Sequence, residues 1–223
     1  MLLALETATD QCSVVLYDAA GIRAERLDTR AREQTRLILP MIDEVLAECG
    51  LSFADLSAVA FSRGPGSFSG VRINAAVTQA LAWTHDLPVV AVSTLQALAQ
   101  HAASHLGLSC VLAVIDARMN EVYAGAFQLD TSGVMQPLGA EQLAAYDAVS
   151  IAAGVQAIVG SGSLLLQGAA DLPRHVELGA TANDIAYLGW SAFQRGETVD
   201  AAQALPVYLR DDAWKKLDQQ GKK

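Results

Sequence analysis

Cysteine is scarce and scattered in this chain: Cys12, Cys49 and Cys110 are the three in 223 residues, with no CxxC pair among them. That number and spacing argue against a disulfide framework. Each sits among apolar neighbours (QCSVV, AECGL, SCVLAV), where a buried, inert thiol is expected. Positive charge is also in short supply, since 15 Lys and Arg stand against 24 Asp and Glu for a net charge of −9. Such a surface repels phosphate backbones, which argues against strong unaided binding of nucleic acid. Long apolar runs are missing too, and none reaches the ~18 residues that a membrane-spanning helix needs. The opening MLLALETATD lacks a basic start and places an acid where a signal peptide needs its apolar core. A soluble cytoplasmic protein with no membrane association is expected.

Several catalytic signatures are absent as well. There is no GxSxG elbow, and His85 and His175 have no context tying them to a nucleophile. His101 and His105 stand four residues apart on a predicted helix, a spacing that could turn two imidazoles toward one metal. No Glu makes an HExxH pattern of them, and no third ligand is evident. Two histidines near a helix end also complement its dipole, so the same pair has an ordinary explanation.

What is present is an apolar chain, 52% hydrophobic and 17% charged, which is a globular composition. Strands are predicted at Leu2–Leu5, Cys12–Tyr17 and Ile22–Leu27, then a helix over Glu33–Glu48 stopped by Gly50. Pro40 lies inside that helix and should kink its first turns. Next come a strand at Ser57–Phe61, a helix at Val71–Thr84, a strand at Val89–Val92, a helix at Thr94–His105 and a strand at Val111–Asp116. Strand–helix alternation of this kind predicts a layered α/β fold. Val111–Phe127 repeats the plan of Leu2–Asp18, each an apolar strand ending in an acid, a small-residue turn and a second strand. Two lobes of related topology follow, residues 1–106 and 107–223, packed together because no low-complexity linker separates them. The second half is less regular, with a strand at Ala157–Gly160, a helix at Ala182–Phe193 and a polar tail at Trp214–Lys223.

Four places bear on function. Gly64–Gly70 (GPGSFSG) runs straight into a helix N-terminus, where free N–H groups and the helix dipole favour an anion. No Lys-Ser/Thr follows, so it is not a Walker loop, and spacing alone favours a tight turn that presses a helix on its neighbour. Glu6 and Thr7 close the first strand, where α/β folds place ligand-contacting groups, although acid-plus-threonine turns are also ordinary. Asp116 and Arg118 read as a local ion pair. Finally, the first helix carries a wide apolar stripe, and the second sets Ile73, Val77, Leu81 and Trp83 among alanines. Both suit either packing on their own sheet or that packing plus a partner surface.

ALETATDQCSVVLYD, LILPMIDEVL, AFSRGPGSFSGVRINAAVTQALA, AVSTLQALA, IDARMNEVYAGAF and PVYLR together resemble the TsaB (YeaZ) family. The likeness runs along nearly the whole chain and is weakest across Gln128–Val199. It implies the actin-like ATPase (ASKHA) fold and a non-catalytic part in making N6-threonylcarbamoyladenosine in tRNA. The implied partners are the paralogue TsaD in a heterodimer and the ATPase TsaE, with a homodimer when alone and tRNA reached only indirectly.

The same resemblance places the partner interface on the first two helices, with contacts expected at Leu37, Met41, Ile42, Val45, Ile73, Val77 and Leu81. The HxxxH metal motif of TsaD relatives is missing here, where Arg32–Ile38 holds no histidine and Gln34 stands at the usual place. Ser69 and Asn74 replace the usual Thr and Gly. No catalytic residue and no metal are expected, nor any cofactor of the chain's own, although ATP or ADP with Mg belongs at the level of the complex. Glu6, Thr7, Gly64 and Gly66 are the residues that would touch a nucleotide. The alternatives are a nucleotide-dependent hydrolase of the same fold using those residues, or an M22-like metallopeptidase using His101 and His105.

Overall fold

The computed structural model describes residues 1–30, 32–168 and 171–210, so the tail predicted at Trp214–Lys223 lies outside the described residues. Strands β1 (Leu2–Glu6), β2 (Cys12–Asp18) and β3 (Gly21–Asp28) form an antiparallel meander. β4 (Ala58–Ser62) and β5 (Val89–Val92) add to it in parallel, giving the order β3-β2-β1-β4-β5. β1 and β4 read as unbroken apolar runs because both faces of the sheet are covered, and every residue of either strand is buried.

A second sheet repeats this plan. β6 (Cys110–Arg118) pairs antiparallel with β7 (Glu121–Leu129), and β7 with β8 (Met135–Pro137). β10 (Ala157–Val159) and β11 (Arg174–His175) extend β6 in parallel, and β9 (Gln142–Ala145) pairs off this path with β7. The order β8-β7-β6-β10-β11 matches the first sheet strand for strand in direction. Two copies of one topology, side by side in an α/β chain, make the actin-like (ASKHA) fold.

Helices α1 (Gln34–Cys49) and α2 (Phe68–His85) cover the outer face of the first sheet. Ile38, Ile42 and Val45 of α1 pack there with Leu3, Leu5, Val14 and Phe61. α1 ends at Gly50, whose left-handed φ of 65° is cheap for glycine. The helix continues through Pro40, which is exposed.

α3 (Thr94–Leu106) and α4 (Ala182–Gln194) fill the layer between the sheets. α3 lies on the second sheet, whereas α4 crosses back onto β1, β2 and β4 of the first. One core therefore joins both lobes, with Leu2 and Ala4, Leu95 and Leu98, Val111 and Ala113, and Ile185 and Leu188 drawn from four elements in three layers. Gly189 makes this possible, since a β-carbon there would stand 2.6 Å from that of Ala60. The second sheet's outer face is covered by irregular chain that brings Ile151, Leu165, Leu166 and Leu172 onto Leu112 and Val114. No helix among the described residues is long and apolar enough to cross a membrane.

Candidate functional site

The glycine loop is fixed by the turn that follows β1. The Ser67 amide donates to the Ala8 carbonyl at 2.7 Å, and the Thr7 hydroxyl donates to the Gly70 carbonyl at 2.8 Å. A β-carbon on Gly66 or Gly70 would collide with the Ala8 or Thr7 carbonyl oxygen, so these glycines let two backbones touch. Gly64 holds a φ of 97°, beyond the reach of most side chains. Ser67 then caps α2, its Oγ accepting from the Gly70 amide at 3.1 Å. Each of these contacts spends loop geometry on packing.

Glu6 and Thr7 are fully buried and lie behind this junction. Oε1 of Glu6 accepts the Thr9 amide at 3.0 Å, while Oε2 has no hydrogen-bond partner among the described residues. Burial pushes the Glu6 carboxyl up to about 7, with the Ser62 hydroxyl and Thr9 amide pulling against that rise. Asn74 reaches from α2 into the same pocket and donates to the Leu5 carbonyl at 3.1 Å and to Ser62 Oγ at 2.7 Å. The nucleotide-contacting role expected of Glu6 and Thr7 does not fit this placement. Neither side chain has surface to offer a ligand, because the turn and the glycine loop seal them in.

A cleft of about 1580 Å³ opens between the lobes. Thr9, Asp10 and Gln11 with Pro65–Phe68 form one wall; Ile115–Met119 and Ser161 form the other. Val207, Tyr208 and Arg210 cross its edge. Gln34 donates its side-chain amide to the Thr9 carbonyl at 3.0 Å and so ties α1 to the turn after β1. Both arginines that line the cleft already face acids, Arg118 with Asp116 at 2.9 Å and Arg210 with Glu121 at 2.6 Å. Asp10 and Glu177 add further negative charge. An incoming phosphate would have to displace a carboxylate, so the lining suits a nucleotide poorly.

The helical faces divide sharply. Met41, Ile42 and Val45 are 7%, 1% and 0% exposed, because α1 turns them into the chain's own core. They have little surface left for a partner, which corrects the expectation for those three. Leu37, Ile73, Val77 and Leu81 are half-buried, touching that core along one edge. Outside them on α2 stand exposed Ala76, Ala80 and Trp83, the last 75% accessible. No residue from Ile73 to Thr84 carries a charge.

The two histidines of α3 are accounted for locally. His101 Nδ1 lies 3.0 Å from Asp184 Oδ2, and His105 Nδ1 lies 3.0 Å from the His101 carbonyl. Asp184 also takes the Thr181 amide and hydroxyl in the cap of α4. Among the described residues no group of three His, Cys, Asp or Glu is placed to hold a metal.

Comparison with known proteins bears on this architecture directly. Residues 28–189 match the family model of TsaD, described as tRNA N6-adenosine threonylcarbamoyltransferase. The chain is 38% identical to the tRNA threonylcarbamoyladenosine biosynthesis protein TsaB of Escherichia coli, with 97% of each chain covered. It is 36% identical to the Haemophilus influenzae protein of the same name, covering 97% and 96%. The chain belongs to the TsaB family. A solved structure of YeaZ from Pseudomonas aeruginosa superposes with a TM-score of 0.87 at 38% identity, covering 93% of this chain and 99% of that one.

Against the TsaB pattern, the structure adds residues that sequence reading left without a role. Arg210 and Tyr208 sit in the PVYLR stretch and Arg118 in IDARMNEVY, both marks of family likeness. Their placement beside Glu121, Arg72 and Asp116 depends on long-range folding, apart from the local Asp116–Arg118 pair, which was legible.

Proposed function

We propose that this chain is a non-catalytic subunit in the making of N6-threonylcarbamoyladenosine in tRNA, acting by docking on TsaD. TsaE completes the assembly, ATP or ADP with Mg belongs to the complex, and the isolated chain pairs with a second copy in the cytoplasm. The names of its relatives support the pathway, and the match to the TsaD model supports a paralogous partner.

One observation carries the docking reading: twelve consecutive residues of α2, Ile73–Thr84, are uncharged although Ala76, Ala80 and Trp83 face solvent. Alanines let a second helix approach closely, and an exposed Trp is the anchor type that protein interfaces favour. The sealed Glu6 and Thr7 support a non-catalytic part, and the net charge of −9 supports leaving tRNA to the partner. Docking would hold TsaD in one arrangement of its lobes, and it can bias TsaD only by as much as it prefers that arrangement.

The test is Ala80→Arg, an exposed site that leaves the fold alone, with Val77→Asp as a second variant on the same face. Both should abolish co-purification with TsaD and drop reconstituted tRNA modification to its level without this chain. Unchanged recovery of TsaD overturns the reading. Turnover of ATP by the isolated chain, lost in Glu6→Ala, would restore the hydrolase alternative.

A further inference from the structure

Arg72 stands apart from the other arginines. Eight of the eleven arginines among the described residues pair with a carboxylate, as expected in a chain with excess acid. Arg174 spends its guanidinium on backbone carbonyls, including those of Leu166 and Gly168. Arg32 and Arg72 are left without an ion-pair partner among the described residues, and Arg72 is exposed near the start of α2. It is nevertheless held in place. Its guanidinium carbon lies 3.6 Å from the centroid of the Phe68 ring and 5.7 Å from that of Tyr208, and Nε donates to the Tyr208 hydroxyl at 2.9 Å.

Ordering a long side chain normally opposes binding, at a cost of about 0.5–1.5 kcal/mol for each one immobilised at an interface. Here two aromatic rings have already ordered it. Nε is taken by Tyr208, which leaves the two terminal nitrogens as a planar pair of donors. That geometry matches the two oxygens of a carboxylate or phosphate. Its setting decides between them. One helical position further along begins the uncharged run Ile73–Thr84, a protein-docking face, while the neighbouring cleft carries the acids Asp10, Asp116, Glu121 and Glu177 and disfavours a polyanion.

We infer that Arg72 is a preordered specificity anchor that receives an Asp or Glu side chain of the protein partner docked on α2, with Phe68 and Tyr208 as its positioning residues. This rests on the docking reading above. An uncharged alanine face gives adhesion but little register; one bidentate ion pair at its end supplies the register and rejects partners lacking the acid.

The experiment measures the affinity of the full chain for purified TsaD across 50–500 mM salt, for wild type, Arg72→Gln, Arg72→Lys, Tyr208→Phe and Ala80→Arg. Thermal melts confirm folding of each. Arg72→Gln should weaken binding about 30-fold, the size of an interface hot spot, and flatten its salt dependence. Arg72→Lys should lose about tenfold, since an ammonium cannot make the paired contact. Tyr208→Phe removes only the clamping hydrogen bond and should cost about threefold. A further variant, Arg72→Glu, should lose binding and regain it with charge reversal at one acidic residue of TsaD. If Arg72→Gln binds within twofold of wild type with the same salt slope while Ala80→Arg does not bind, the anchor is wrong and the docking face stands. If Ala80→Arg binds normally, the docking face itself is wrong. If Arg72→Gln weakens binding only when tRNA is present, and no charge reversal of a TsaD acid rescues Arg72→Glu, the carboxylate is overturned in favour of phosphate.

Discussion

Asn74 donates its side-chain amide to both oxygens of Ser62, to Oγ at 2.7 Å and to the carbonyl at 3.2 Å, with both residues fully buried. A third contact reaches the Leu5 carbonyl at 3.1 Å, so one amide group pins α2 to β4 and β1. Helix α2 thereby inherits the rigidity of the central sheet. Asn74→Leu keeps the volume but strands these acceptors in an apolar site, and a buried unsatisfied polar group costs about 1–3 kcal/mol. Urea unfolding should show the unfolding free energy falling by that amount, through a lower midpoint at unchanged slope.

Glu6 gives the chain a pH dependence whose sign is fixed by burial. Its carboxyl is raised from 4.5 to about 7 in the fold, so the folded chain keeps a proton that the unfolded chain releases above 4.5. Stability from this group is full below about pH 4.5, falls as pH rises through the window to 7, and levels off above it. A shift of this size corresponds to a difference on the order of 3 kcal/mol. Glu6→Gln cannot ionise, so its stability should exceed wild type at pH 8 and converge on it near pH 4.5. Melting curves of the two proteins that stay parallel from pH 4.5 to 8.5 would refute the assignment.

Much of the first lobe was legible because its signals are local. The apolar stripe of α1 and the unbroken runs of β1 and β4 each state their own structure. The repeat of Leu2–Asp18 in Val111–Phe127 also emerged as the same meander. The strands β8, β9 and β11 are too short, at 3, 4 and 2 residues, to display alternation. An apolar stripe also cannot say which surface it meets, and Met41, Ile42 and Val45 went to the chain's own sheet. The site was harder still. GPGSFSG is conspicuous, but whether it grips an anion or a neighbouring turn is decided by Thr7 and Ala8, about sixty residues earlier. Tyr208 meets Arg72 across 136 residues, and no local pattern records that.

The glycines of that loop should be intolerant for steric reasons. Gly66 and Gly70 have backbone angles open to any residue, yet the place of a β-carbon is filled by the carbonyls of Ala8 and Thr7. Backbone atoms cannot step aside as a side-chain tip can, so the whole turn must move. Gly70→Ala should cost about 1–3 kcal/mol, in the range of overpacked cores. Gly50→Ala, by contrast, meets open space and suffers only its left-handed φ, a cost of about 1 kcal/mol. Thermal unfolding that ranks the two the other way would show that the loop is free to relax.

At the edge of the cleft, Arg210 holds the β6–β7 turn. That turn places Arg118, Met119 and Asn120 at φ of 63°, 57° and 62°, three left-handed residues in a row without a glycine. Each costs roughly 1–2 kcal/mol and must be held by its surroundings. Arg210 supplies the hold: its guanidinium pairs with Glu121 at 2.6 Å and donates to the Ala117 carbonyl at 3.1 Å. In a double-mutant cycle of Arg210→Ala and Glu121→Ala, the coupling should be about 1 kcal/mol, at the upper end for partly exposed pairs, and should shrink in 1 M salt. Arg210→Ala alone should cost more than Glu121→Ala, because it also frees the carbonyl that it caps. Amide hydrogen exchange in 117–121 should quicken in the arginine variant and hardly change in the glutamate one. Equal effects of the two substitutions would mean that the ion pair, and not the capped turn, is what Arg210 maintains.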